Sequence, residues 1–214
     1  MALTVADVVT TARGTLLDAA AVAWSDAELV RYVNEALRAT SAVKPDLYTK
    51  RGNVEMDGGS LQQLPADGIS LIDVFENAYS GTPVTLVDKE LLDECNRFLT
   101  PADRERDVQH YTADPRDPRR FVVTPPNDGT GEVRTMYGAV HPAVTSTTDD
   151  LLVDDIYQPL LVDYVLHRAY AKNSKRQDLT KSGYHKQQWA QAVGLNTKAQ
   201  TAIAPKVSVS EGMQ

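Results

Sequence analysis

The segment 155–172, DIYQPLLVDYVLHRAYAK, has the spacing of a helix that is apolar on more than one side. On a helical wheel Ile156 and Leu160 fall on one face, while Val162 and Val165 fall roughly opposite. A surface helix usually has one apolar stripe and a polar back. The segment is also too short and too charged to span a membrane. We therefore expect it to be buried on several sides, as a central helix or against another subunit.

The body of the chain is acidic and its end is basic. The 214 residues carry a formal net charge of −7, yet residues 165–214 contain eight lysine or arginine residues and only two acids. Residues 1–164 therefore carry −13. Tight nonspecific binding to duplex DNA requires neutralisation of phosphates, so an acidic body argues against it. Such a surface is compatible with DNA passing by without sticking.

The single cysteine, Cys95, excludes a disulfide framework within one chain and a cysteine-based zinc site. A reducing compartment is expected. The N-terminus lacks the basic segment and apolar run of a signal peptide. We expect no membrane span, because no apolar stretch reaches the necessary length.

Two helices are predicted at the start of the chain. Thr4 opens the first, with Asp7 three residues on. The second opens with a capping box, in which the Ser25 side chain accepts from the backbone of Glu28 and the Glu28 side chain reaches back. Pro45 ends this helix. A short connection between the two helices indicates an antiparallel hairpin.

Turn residues and alternating apolar positions predict an antiparallel β-rich region next. Residues 47–56 form a strand, Asp57-Gly58-Gly59 a turn, and residues 61–64 a returning strand. A strand at 69–78 and a short helix at 87–98 follow. Segments 107–112, 120–124 and 132–139 are predicted to form a meander, with Pro125-Pro126-Asn127-Asp128-Gly129 as its last turn.

The end of the chain returns to helices. The helix at 155–172 is followed by one at 178–193, with Gly194 as its C-cap. Residues 195–214 have few apolar side chains and predict an extended tail that needs a partner to become ordered.

The predicted architecture is α+β. Residues 1–45 and 151–194 would form N- and C-terminal helical hairpins of one bundle. Residues 46–150 would be an inserted β-rich region with a short helix, and residues 195–214 an extended C-terminal tail.

Motifs for chemistry are sparse. No glycine-rich phosphate loop is present, and no two histidines stand at the i, i+4 spacing of a zinc protease. The densest acidic cluster is Asp149, Asp150, Asp154 and Asp155, which could hold Mg²⁺ or Ca²⁺. The other interpretation is helix capping, because acids before a helix satisfy its free N–H groups. We favour capping, and expect no catalytic residue, cofactor or metal.

Tyrosines crowd the last two predicted helices. Tyrosine combines apolar area with a polar tip and suits protein interfaces, although core packing explains any single one equally well. The candidate subunit-interface residues are Tyr157, Tyr164, Leu166, Tyr170, Tyr184 and Trp189.

Five segments occur in a recognisable order: WSDAELVRYVNEALRAT, QQLPADG, RDPRRFVVTPP, GEVRTMYG and DDIYQPLLVDYVLHRAYAK. Together they resemble the small head-to-tail adaptor (connector) proteins of tailed bacteriophages. Within these proteins the chain is most similar to the podovirus type called tail tubular protein A or gatekeeper. The resemblance covers roughly residues 3–195 and consists of order, size and helix–strand–helix layout.

The resemblance implies a structural virion protein of the phage neck, assembled in the host cytoplasm, and no enzyme. Such proteins form a homo-oligomeric, dodecameric ring under the portal protein, extend the DNA channel and dock the tail nozzle protein. Viral DNA passes through without sequence-specific contact. By region, the expected portal-binding residues are Leu195, Ala202, Ile203, Pro205, Val207 and Val209. The expected nozzle-facing loop residues are Asp57, Gly58, Asp117, Asn127 and Asp128.

Two other functions stay open on the sequence. One is a metal-dependent hydrolase or nuclease that uses the cluster at 149–155. The other is a small DNA-binding regulator that uses the basic hairpin at 168–186, against which the acidic body argues.

Overall fold

A computed structural model describes the backbone of residues 3–96 and 103–203, and the side chains of 3–94 and 103–194. The chain divides into two compact units, residues 1–44 with 143–214, and residues 45–142. The predicted α+β class is confirmed, with the long helices in the first unit and most strands in the second.

Helices α1 (Val5–Leu16) and α2 (Asp26–Val43) begin where the sequence predicts. Thr4 caps α1 in a reciprocal box: its hydroxyl accepts from the Asp7 N–H at 3.3 Å, and the Asp7 carboxylate accepts from the Thr4 N–H at 2.8 Å. Lys44, the residue before Pro45, is the C-cap of α2.

The second predicted capping box is only half present. The Ser25 hydroxyl accepts from the Glu28 N–H at 3.3 Å. The Glu28 carboxylate does not reach back, because it accepts from the Tyr32 hydroxyl at 2.9 Å and pairs with Lys172 at 2.7 Å. A tertiary ion pair has replaced the local bond.

The helix predicted over 155–172 starts as a 3₁₀ turn (Asp155–Tyr157) and continues as α4 (Gln158–Ala171). Its burial on several sides is confirmed, because α1, α2 and the last helix all pack against it. Leu161, Val165 and Ala169 have no exposed surface.

The last helix, α5 (Leu179–Ile203), ends ten residues later than the predicted helix 178–193. The predicted cap at Gly194 and the predicted extended tail over 195–203 are both wrong. One glycine inside a helix costs only about 1 kcal/mol relative to alanine, and good helix formers such as Leu195, Lys198 and Ala199 follow it. Leu195, Ala202 and Ile203 thus lie in α5, while Pro205, Val207 and Val209 fall outside the described residues.

The strands of the second unit form two sheets. One has the order β2 (Thr49–Glu55), β8 (Glu132–Ala139), β4 (Gly68–Asn77), and the other β3 (Gly59–Gln63), β7 (Arg120–Asn127), β6 (His110–Ala113), β5 (Thr85–Leu86). Helix α3 (Lys89–Asn96) packs on β6 and β7. Both sheets contribute to one core, which includes Val74 and Val133 from the first and Tyr111, Phe121 and Val123 from the second. This is the arrangement of a sandwich.

The predicted pairing of neighbouring strands is wrong at two places. β2 pairs with β8 and β3 with β7, so the strands at 47–56 and 61–64 lie in different sheets. β8 likewise leaves the sheet of β6 and β7, and the predicted meander stops at β7. Alternation shows which side of a strand is buried, but it does not show which strand lies beside it.

Two short strands belong to the helical unit. β1 (Leu3–Thr4) pairs with β9 (Asp150–Leu151). Asn34 of α2 also holds Val144, donating to its carbonyl at 2.8 Å and accepting from its N–H at 3.0 Å. The segment after Pro142 is thereby fastened to the helices.

Gly131, at the turn before β8, is a test of sandwich packing. A Cβ there would overlap the Asn127 amide and the Arg106 carbonyl and lie 2.6 Å from Met56 Cε. We predict that Gly131→Ala lowers the free energy of unfolding by about 1–3 kcal/mol, measured by urea denaturation. Gly52→Ala is the control, because a Cβ at Gly52 meets nothing within 4 Å. Equal stability of the two variants would contradict the packing described.

Candidate assembly surfaces

Helix α4 is fastened to its neighbours by polar bonds as well as by apolar packing. The indole N–H of Trp24 donates to the Ala169 carbonyl at 3.2 Å, and Trp24 is 1% exposed. From α5, the indole N–H of Trp189 donates to the Thr40 hydroxyl of α2 at 3.1 Å. These bonds join α4 to the segment before α2, and α5 to α2.

Ion pairs join α2 to α4 along their partly exposed side. Glu28 pairs with Lys172, and Glu35 with Arg168, each at 2.7 Å. Burial alone would raise the pKa of Glu28, but hydrogen bonds from Lys172 and Tyr32 outweigh it and lower the pKa. Glu28 is therefore held as a carboxylate between two helices.

The six predicted subunit-interface residues differ in what they expose. Leu166 and Tyr170 are buried inside the chain's own fold, at 2% and 8% exposure, and offer little surface to a second subunit. Tyr164 is half-buried and meets Trp189 edge-on, with ring centroids 5.3 Å apart. Tyr184 is 58% exposed.

Tyr157 lies beside Lys44, whose Nζ is 5.3 Å from the ring centroid. Because Leu166 and Tyr170 are covered by the chain itself, most of the burial of α4 is explained within the single chain. Of the six, Tyr184 has the most surface available to a neighbouring molecule.

A groove of about 400 Å³ opens between α1, α4 and α5. Its floor includes Pro159, Val162 and Leu166 of α4, which follow one another at helical spacing. Thr11 and Thr15 of α1 form one wall, and the other includes His185 of α5, whose Nδ1 lies 2.8 Å from the Asp163 carboxylate. On this side the chain's own helices leave the first turn of α4 uncovered at Pro159, while Val162 and Leu166 are nearly buried.

The loop between α1 and α2 presents apolar side chains to solvent. Leu17 is 86% exposed and Val22 is 80% exposed. The loop is compact because the buried Asp18 carboxylate accepts from the N–H groups of Val22, Ala23 and Trp24 at 3.0–3.2 Å. Burial would raise the pKa of Asp18, but these hydrogen bonds lower it.

The sandwich carries a third surface at the end where β7 leads towards β8. We call this the sandwich tip, formed by residues 57–58, 78–82, 104–107 and 128–131. Asn127, fully buried, donates to the carbonyls of Glu105 and Arg106 at 3.2 and 2.7 Å. Its oxygen accepts from the N–H groups of Gly129 and Gly131 at 2.8 and 3.2 Å.

Asn77 has the same role on the other side of the tip. It is 1% exposed, donates to the Val108 carbonyl at 2.8 Å and accepts from the Val108 N–H at 2.9 Å. It also donates to the Thr82 hydroxyl at 2.8 Å. Two buried amides therefore hold the loops of the tip in a defined shape.

The five predicted nozzle-facing residues do not share one surface. Asp57, Gly58 and Asp128 lie together at the tip, since a Cβ on Gly129 would be 3.5 Å from the Gly58 nitrogen. Asn127 is buried, so it holds the loops of the tip in place and is not itself exposed to a partner. Asp117 precedes β7, so it lies at the opposite end of an eight-residue strand, roughly 26 Å long.

Sequence reasoning missed two exposed residues of the tip. Tyr79 is 77% exposed, and the Arg106 guanidinium lies 3.9 Å from its ring centroid. Tyrosine and arginine are enriched where protein partners bind tightly. The available signal was an aromatic residue in the turn sequence before Gly81.

The acidic cluster at 149–155 serves local structure. The Asp149 carboxylate accepts from the N–H groups of Thr145 and Ser146 at 2.7 and 3.0 Å, and these bonds lower its pKa. Asp154 caps the 3₁₀ turn, accepting from the Ile156 N–H at 3.2 Å. Across the described residues, no three His, Cys, Asp or Glu side chains group as metal ligands.

No helix within the described ranges is long and apolar enough to cross a membrane. The surfaces that stand out are an apolar groove, an apolar loop and a rigid tip with exposed Tyr and Arg. Surfaces of this kind are typical of proteins that bind other proteins.

The family model described as SU10 adaptor protein matches residues 3–208, which include most of both units. The chain belongs to the SU10 adaptor protein family. It is a structural adaptor of a bacteriophage, with its place at the virion neck. No curated protein matches the sequence.

Two histidines, the buried His141 and the partly buried His167, make the stability of the fold depend on pH. Burial lowers the pKa of His167, as do the charges of Lys186, Arg168 and His185, while its bond to the Ser182 carbonyl raises the pKa. Burial also lowers the pKa of His141. Each is neutral in the fold and takes up a proton more readily when unfolded, so stability is lost as pH falls below about 6.5.

We therefore predict that the free energy of unfolding falls between pH 7.5 and 5.5. His167→Asn keeps a donor near the Ser182 carbonyl but cannot titrate, so its loss over this range is smaller. Urea denaturation at several pH values measures the slope. A slope as steep in His167→Asn as in the natural chain would contradict the role of His167.

Proposed function

We propose that this chain is the subunit of a homo-oligomeric ring between the portal protein and the tail nozzle of a tailed phage, of the tail tubular protein A or gatekeeper type. The observation that carries the proposal is the family match over residues 3–208. The ring, a dodecamer by resemblance, would extend the channel through which viral DNA leaves. Assembly would take place in the host cytoplasm. Among the residues that the structure describes, no group of metal-ligating side chains supports a metal-dependent hydrolase.

In this proposal the helical unit is the rigid part of each ring subunit. Contacts of α4 with α1, α2 and α5 are those of a helical bundle made of two hairpins, which we propose as its arrangement. An acidic body suits a channel wall, because DNA that slides past must not be held by its phosphates.

The end of the chain is the proposed portal-binding segment. Past Val193, which is buried, α5 continues from Gly194 to Ile203, a further length of roughly 15 Å. Leu195, Ala202 and Ile203 would thus be presented to the portal on a helix. Pro205, Val207 and Val209 belong to the same proposed contact.

Two truncations separate the parts of this segment. We predict that a chain ending at Ile203 binds portal rings more weakly than the full chain, and that a chain ending at Gly194 binds more weakly still. Both should keep their melting temperature within a few degrees, because Val193 is the last core residue among the side chains that the structure describes. Pull-down with portal rings measures attachment, and full attachment of the shorter chain would refute the assignment.

The sandwich tip is the proposed docking surface for the tail nozzle. Its loops are held in shape before binding by Asn77 and Asn127, which reduces the entropy lost on association. Tyr79 and Arg106 supply the exposed aromatic and cationic groups typical of strong contacts. Asp57, Gly58 and Asp128 would form the rim.

Substitutions at the tip test nozzle docking. We predict that Tyr79→Ala with Arg106→Ala weakens nozzle binding at least about ten-fold, a loss of roughly 1.4 kcal/mol. Ring formation on the portal should be unchanged. Asp117→Ala, an exposed residue at the other end of β7, is the matched control and should bind normally. Equal loss with Asp117→Ala would show that the tip is not the docking surface.

A further inference from the structure

Leu17 occupies a position where a leucine side chain adds little to the stability of its own chain. It is the C-cap of α1, with φ 52° and ψ 43°, the left-handed conformation that favours glycine. For a bulky side chain this conformation is strained. The side chain is also 86% exposed, so burial does not offset the strain.

A strained residue at the surface points to a contact outside the chain. Val22, on the same loop, is 80% exposed and held in place by the Asp18 carboxylate, which accepts from its N–H at 3.1 Å. The loop thus offers two aliphatic side chains on a fixed backbone.

The groove over α4 has the complementary form. Its volume of about 400 Å³ is that of a site for a few side chains or a small ligand. Its floor is apolar, with Pro159 exposed to solvent and the nearly buried Val162 and Leu166 beneath it. Thr11 and Thr15 in its wall are short, exposed side chains that leave Pro159 open from above.

Charges beside the two features are opposite. Asp163, with its side chain 26% exposed, lies in the groove, and the exposed Asp155 stands one turn before Gln158. Beside the loop lie the exposed Lys175 and Arg176, the latter with its guanidinium 3.6 Å from Asp18. A loop from a second copy would bring these cations near the acids of the groove.

We propose that the α1–α2 loop of one copy inserts Leu17 and Val22 into the α4 groove of the next. The two surfaces differ, so the contact is heterologous, the kind that repeats around a ring. The inference rests on the proposed ring and names the surfaces through which its subunits meet.

Single cysteines test the contact directly. In a Cys95→Ser background, Leu17→Cys and Pro159→Cys chains are mixed, assembled on portal rings and oxidised. We expect a disulfide-linked dimer in the mixture and none with either variant alone. The matched control mixes Tyr79→Cys, which is 77% exposed in the sandwich, with Pro159→Cys and should give no dimer.

The outcomes separate this inference from the proposed function. Rings that form on the portal without the Leu17–Pro159 disulfide overturn the loop-in-groove contact and leave the ring standing. Failure of the natural chain to form rings on the portal overturns the proposed function itself. A chain carrying both cysteines should give a ladder beyond dimers; covalent dimers alone would indicate a closed two-fold contact and overturn the heterologous one.

Leu17→Gly provides a second test without cross-linking. Glycine relieves the left-handed strain, so the monomer should melt at the same or a higher temperature, while ring formation on the portal weakens at least ten-fold. Leu61→Ala removes an aliphatic side chain that is 55% exposed in β3 and should assemble normally. Normal assembly of Leu17→Gly, or equal loss in both variants, would contradict the role of the loop.

Discussion

The helical unit depends on the burial of one helix. α4 is short, yet Leu161, Val165 and Ala169 leave no surface exposed, which requires neighbours on several sides. α1, α2 and α5 supply them, and buried Trp24 adds a directional bond to the Ala169 carbonyl that apolar packing lacks. The polar residues that interrupt α4 are used at its margins, where Asp163 meets His185 and Arg168 meets Glu35.

Local signals in the sequence predicted local structure well. Thr4 and Ser25 marked the starts of two helices, and the even distribution of apolar residues over 155–172 predicted a central helix. The sequence did not predict features that are decided by contacts between distant residues. Glu28 left its capping position for Lys172, 144 positions away, and β8 joined β2 and β4 instead of β7. Gly194 resembled a helix end, but the propensity of the residues behind it outweighed one glycine.

The candidate surfaces were predicted only in part, because exposure also depends on contacts between distant residues. Tyrosines at helical spacing cannot show which of them faces the core, and Leu166 and Tyr170 turned out to be buried. Turn residues predicted loops near 57–58 and 128 correctly, but not that Asp117 lies at the other end of the sandwich. Neither Leu17 nor Tyr79 stood out, because a left-handed backbone and an exposed ring are visible only in three dimensions. Membership of the SU10 adaptor family supplies the functional setting that these residues alone did not.

Asn77 and Asn127 have a consequence for how such a protein can change. Both amides are buried and bond to backbone atoms of loops far along the chain, so the loop shape is set from below. Side chains above, such as Tyr79 and Arg106, do not determine that shape. They can be exchanged for others while the backbone beneath stays the same, so recognition of a new partner requires no new fold, only new side chains on an unchanged support.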